Sequence, residues 1–191
     1  MDTPVVDGSA DAGTRRPRTA VLRRLGRWAG AGLCAALLLA ALVPVWPALR
    51  LSVDGERFGH LPLAEGEQFT VSYVHSIDHL PIEENIEVRD GVLVADSTRL
   101  RQFGAGMGHI PGEGTGRADG EWWVIEDMNR TLGPQLAIRV GRASVDHRLR
   151  TPDTEVRLSP CLTARRVVVE PVRVPTLVLL FGGAPRPDCD E

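Results

Sequence analysis

The stretch FTVSYVHSIDHLPIEE, Phe69 to Glu84, gathers side chains able to do chemistry: Tyr73, His75, Ser76, Asp78, His79 and Glu84. Imidazole and carboxylate suit a divalent ion such as zinc, which makes His75, Asp78, His79 and Glu84 weak candidate ligands. A catalytic zinc needs three rigidly held protein ligands, and Asp78 and His79 fall in a loop whose direction the sequence leaves open. No metal and no other cofactor is therefore assigned. As an acid–base group, a buried Glu84 would have its pKa raised by desolvation, and a nearby imidazolium would lower it again. Ser76 beside His75 raises the question of nucleophilic catalysis. Neighbours on a strand point to opposite faces, so that pair works only if the strand ends between them. No Gly-x-Ser-x-Gly elbow accompanies Ser76, and no catalytic residue is assigned.

The elements that position these groups are strands. Alternation puts Phe69, Val71, Tyr73 and His75 on one face of a strand and Ile82, Glu84, Ile86 and Val88 on one face of the next. His75 and Glu84 thus fall where core residues belong, and a buried carboxylate needs a partner. With Ser76 to Pro81 as the connecting loop, an antiparallel register sets Tyr73 opposite Glu84 and His75 beside Ile82. A hydrogen-bonded Tyr73, His75 and Glu84 network is the structural reading to weigh against a functional one.

Short alternating runs continue along the chain, separated by Asp54-Gly55, Glu65-Gly66, Asp90-Gly91 and Asp119-Gly120. They predict an all-β domain of about 8–10 short strands, a sandwich or a partly closed barrel. Val174 to Phe181 reads as the last core strand, too short to span a membrane. Gly104 to Gly120 breaks the rhythm and is a candidate functional loop. Gly104, Ala105, Gly106 and Gly108 are not a phosphate cradle, because no Lys follows and no helix opens there. Trp122 and Trp123 fall on opposite faces of a strand, so at least one is predicted to pack in the core.

Ahead of this domain lies an Arg-rich tail, residues 1–27, expected to be disordered and cytoplasmic. Residues 28–49 then run without a charge, long enough for a transmembrane helix, since about 20 apolar residues cross a bilayer. The Arg flank sets the N-terminus inside and the domain, residues 50–183, outside, with 184–191 a disordered tail. A cleaved signal peptide competes, but the apolar run is long for one and no small-x-small site closes it. Cys34 reads as a thiol inside the helix. Outside the cytoplasm a Cys161–Cys189 disulfide is permitted, though the spacing does not establish it. Net charge −3, with 43% apolar and 25% charged residues, gives no footprint for nucleic acid. The cations are all Arg, from which no function follows.

An N-terminal apolar anchor, Tyr73-x-His75-Ser76, Pro81-x-x-Glu84, a strand, and Phe103-Gly104-Ala105-Gly106 together resemble the bacterial and archaeal family catalogued as domain of unknown function 1850. The resemblance extends over residues 49–181, and its most specific part is HSxxxxPxxE followed by FGAG. Family members usually have a Pro very soon after Gly-Ala-Gly, whereas here Met107 to Ile110 precede Pro111. Proteins of this kind are commonly encoded beside TAXI-type tripartite ATP-independent (TRAP) transporters. The resemblance thus implies an accessory of the permease or its solute-binding protein, with Tyr73, His75, Ser76, Pro81, Glu84 and Phe103 to Gly106 as functional-surface candidates. It names no enzyme activity and no cofactor. An extracytoplasmic hydrolase or metal-dependent enzyme using His75, Ser76 and Glu84 is the alternative, and a free-standing small-ligand binder is a third.

Overall fold

A computed structural model describes residues 32–101, 114–182 and 185. The chain divides into two compact units, Met1–Ala40 and Ala41–Glu191. Helix α1 occupies residues 32–42, and its leucines are exposed. It ends before the predicted span does: residues 44–49 belong to the first strand, because Pro44 and Pro47 suit extended backbone better than helix. Among the described residues no helix is long and apolar enough to cross a membrane. The tails predicted at 1–27 and 184–191 lie outside the described residues except for Pro185, which is buried. Its backbone comes so near Gly59 that a Cβ there would lie 2.9 Å from the Pro185 nitrogen.

Twelve strands follow α1 among the described residues. They are β1 (Pro44–Val53), β2 (Glu56–Pro62), β3 (Gln68–Val74), β4 (Pro81–Arg89), β5 (Val92–Leu100), β6 (Thr115–Asp119), β7 (Trp122–Glu126), β8 (Arg130–Gly133), β9 (Leu136–Arg139), β10 (Arg148–Arg150), β11 (Glu155–Arg157) and β12 (Arg166–Pro175). Two more short helices are α2 (Ser159–Leu162) and α3 (Thr176–Phe181). The strands exceed the predicted number because β2, β6 and β8 were not expected. Val174–Phe181, expected to be a strand, is instead the end of β12 followed by a helix: Pro175 keeps extended backbone and Thr176 begins the turn.

The strands form two antiparallel sheets, and neither closes into a barrel. The smaller runs β2-β1-β12-β9 and the larger β11-β10-β3-β4-β5-β7-β6, with β8 also pairing β5. Two hairpins, β1–β2 and β4–β5, turn on Asp-Gly pairs that take positive φ at both residues, 51° and 92° at Asp54-Gly55 and 52° and 73° at Asp90-Gly91. That is the geometry whose twist matches the flanking strands. Inward residues of both sheets make one core: Leu49, Leu51, Val167 and Val169 of the smaller sheet pack with Phe69, Val71, Ile86, Leu93 and Leu149 of the larger. This is a β-sandwich, held by apolar faces that neither sheet could bury alone. A second, smaller cluster of Ile82, Leu100 and Ile125 supports Tyr73, Trp123 and Met128.

Candidate functional site

β3 and β4 supply the floor of the site. Their register pairs Val74 with Pro81, Tyr73 with Ile82 and Val71 with Glu84. The predicted opposition of Tyr73 and Glu84 is thus displaced by two residues. A slip of two preserves the face on which each side chain lies, so Tyr73 and Glu84 still point toward the interior. Pro81, which has no N–H to donate, opens β4 at the sheet's margin.

Between the strands, His75 to Leu80 form a closed turn. The His75 N–H donates to the Leu80 carbonyl at 2.9 Å and the His79 N–H to the His75 carbonyl at 3.0 Å. His79 takes φ 56°, a left-handed conformation that a residue with a Cβ adopts only when its surroundings hold it there. Inside the turn, His75 Nδ1 lies 3.3 Å from Asp78 Oδ2. Both atoms are shut off from solvent, and neither has a hydrogen-bond partner among the described residues. Ser76, Ile77 and His79 are exposed around it, Ile77 at 70%.

A second segment completes the site. One turn of 3₁₀ helix, Ala143–Val145, follows Arg142 and leads to His147. Asp146 accepts hydrogen bonds from Arg148 and Arg157, and Arg148 above all holds its carboxyl below the usual carboxylate range. His147 stacks on Tyr73, ring centroids 5.3 Å apart and planes at 19°. Its Nδ1 accepts from the Gly141 N–H at 3.1 Å, and the His147 backbone N–H donates to Ser159 Oγ at 2.8 Å. With the turn, this segment encloses a cleft of about 350 Å³ lined by Val74, His75, Ser76, His79, Arg142, Ser144 and Val145. A larger groove of about 450 Å³ lies among Pro47, Leu63, Val88, Asp90 and Pro171, but it gathers no histidine, serine or cysteine.

Glu84 stands apart from the cleft lining. Burial raises its pKa, opposed by the attraction of Arg130. Burial likewise pushes the Tyr73 phenol up to about 12, and the charge of Glu84 adds to it. The expected Tyr73, His75 and Glu84 network does not form: His75 faces Asp78, and Tyr73 stacks on His147. Because β3 ends at Val74, His75 and Ser76 both lie beyond the strand, and the rule that neighbours face opposite ways no longer separates them.

Tyr73, His75, Ser76 and Pro81 are thus close together, with Asp78 and His79. Phe103, Gly104, Ala105 and Gly106 lie outside the described residues. Among the described residues no three His, Cys, Asp or Glu side chains are grouped to hold a metal ion, so His75, His79 and Glu84 do not converge as ligands. Arg142, Ser144 and His147 were missed. The only hint was the aromatic Tyr73 beside a strand end, where a ring needs a partner.

Residues 69–158 match the family model described as domain of unknown function (DUF1850). This supports the family read from the motifs, over a narrower span than 49–181, running from β3 through β11. No curated protein and no solved structure matches the chain.

Proposed function

We propose, from that family match as premise, that the chain is a membrane-anchored accessory protein whose extracytoplasmic β domain docks a TRAP-type permease or its solute-binding protein. The observation that carries this reading is the His75–Leu80 turn. It is closed by backbone hydrogen bonds, contains the His75–Asp78 pair, and presents an exposed Ile77 next to Ser76 and His79, which line the cleft with Arg142. An apolar tip ringed by polar donors is the composition of a protein contact with a dry centre and a wet rim. Cys161 is disulfide-bonded, which favours an oxidising compartment outside the cytoplasm.

The test is purification of the tagged full chain from native membranes in mild detergent, with mass spectrometry of what accompanies it. Recovery of a multi-span permease or a solute-binding protein, lost with Ile77→Asp or Arg142→Ala in a folded protein, supports docking through the turn. Recovery of the chain alone under cross-linking conditions overturns it. One observation favours a second reading: His75, oriented by Asp78, shares its cleft with Ser76 and Ser144, a set able to support acyl transfer. Labelling of either serine by a fluorophosphonate would move the assignment to a hydrolase.

A further inference from the structure

β1 and β12 are antiparallel neighbours, and Pro44 pairs with Pro175. The strand that ends the uncharged run and the strand that leads into α3 therefore meet at the same end of the smaller sheet, one entering and the other leaving. Two contacts fasten them. The Trp46 indole N–H donates to Thr176 Oγ1 at 2.8 Å, and the Arg173 guanidinium donates to the Val45 carbonyl at 3.1 Å.

What these contacts hold together is apolar and uncovered. Val43, Val45 and Trp46 are each about half exposed, Leu180 is 68% exposed and Phe181 80%. α3 reads TLVLLF and buries none of its side chains. No charged residue occurs from Trp28 to Leu49 or from Val174 to Gly182. A contiguous apolar patch of this kind on a folded domain marks a contact surface.

We propose that this rim, Val43, Val45, Trp46, Leu180 and Phe181, sits in the headgroup and upper acyl region of a lipid bilayer. The inference rests on the reading of the uncharged run ahead of β1 as an anchor and adds a second point of contact, at the end of the last strand. Lipid is the occupant because Val43, Val45 and Trp46 belong to the uncharged run itself, and the pairing of β1 with β12 brings the start of α3 to the same end. The rim's one indole also has its N–H satisfied within the protein while half the ring stays exposed, as suits the interfacial zone. The first charge on β12 behind the rim is the cation Arg173, compatible with anionic headgroups. With two attachments the domain has a defined face toward the membrane, and the Asp54-Gly55 hairpin at the far end of β1 points away from it.

The experiment uses the full chain in vesicles of phosphatidylcholine and phosphatidylglycerol carrying an alkyne-tagged phosphatidylcholine. A photoreactive benzoyl-phenylalanine replaces Phe181, Leu38 or Glu56 in separate preparations, each checked for an unchanged melting curve. Lipid adducts are expected at positions 38 and 181 and none above background at 56. Adducts at 38 alone overturn the proposal while leaving the anchor intact. Adducts at neither position remove the anchor reading and the rim with it, and adducts at 181 alone support the rim while removing the anchor. A cross-link from 181 to a second copy of the chain overturns the proposal by showing the rim to be a face between copies.

Discussion

The Tyr73 ring lies on the His147 imidazole, and the same imidazole accepts the Gly141 N–H through Nδ1. Acceptance requires Nδ1 to carry no proton, so the folded protein holds His147 neutral. Burial pushes its pKa below the ordinary imidazole value, with Asp146 partly opposing. The unfolded chain then takes up the proton first as the pH falls. The stabilisation is present above the usual histidine range, about pH 6.5, and is lost on acidification toward the depressed folded value. Proton NMR of the His147 ring should show a midpoint below that of an unfolded histidine, and thermal melts should weaken across the same window. His147→Phe keeps a ring under Tyr73 and leaves the Gly141 N–H without its acceptor. It should flatten the pH dependence while costing about 1–3 kcal/mol near neutrality. A midpoint at or above the ordinary value would show that the bond to Gly141 does not control the ring.

Glu84 has the opposite sign. Its folded pKa is raised, chiefly by burial, so the folded state holds the proton more tightly than the unfolded chain. The associated stability is complete below the ordinary glutamate range and is lost as the pH rises through the folded value. Glu84→Gln removes the charge without changing the shape. We expect it to melt a few degrees higher than the parent at pH 8, on the order of 1 kcal/mol, with the gap closing at acid pH. A variant that melts lower at pH 8 would mean that the attraction of Arg130 outweighs the cost of burying the carboxylate.

The contrast between Glu84 and His75 shows what a single sequence can disclose. That Tyr73 and Glu84 face inward was readable, because strand alternation has a period of two and the two-residue register slip leaves it intact. That His75 would leave the strand was not readable, since Val74 and Leu80 carry no turn signature and the closing bond is between backbone groups. β2 was hidden for a different reason. Gly59 interrupts its apolar pattern, yet Gly is needed there by the approach of Pro185, a contact between distant parts of the chain. In α3 the run Leu177 to Phe181 is apolar at every position, so periodicity could not separate helix from strand. Arg142, Ser144 and His147 belong to the site only through the β3–β10 pairing that brings their loop beside Tyr73.

His75 and Asp78 can be tested as a unit. Their facing atoms are buried and lie 3.3 Å apart, so a change at either alters the surroundings of the other. His75→Phe and Asp78→Asn should each destabilise the protein by about 1–3 kcal/mol. The double variant should cost less than the sum, a coupling above about 0.5 kcal/mol. Chemical denaturation of the four proteins provides the cycle. Additive losses would show that the turn is held by its backbone hydrogen bonds alone, and that the side chains are available for a partner.

The disulfide at Cys161 connects stability to the site. Cys161 lies in α2, where Leu162 reaches the sandwich core and Ser159 accepts the His147 N–H through its hydroxyl. The Ser159 carbonyl also accepts from Thr163 Oγ1 at 2.8 Å, so α2 is a small bonded unit tied to the His147 backbone. Reduction frees one end of that unit and enlarges the unfolded ensemble, which should cost about 2–4 kcal/mol. By comparison, Phe69→Ala at the centre of the core should cost about 3–5 kcal/mol. The two perturbations should differ at the site. Phe69→Ala leaves α2 in place, whereas reduction should broaden or shift the His147 ring signals at temperatures where the sandwich is still folded. Reduction that lowers the melting temperature without moving those signals would show that Ser159 holds His147 independently of the disulfide.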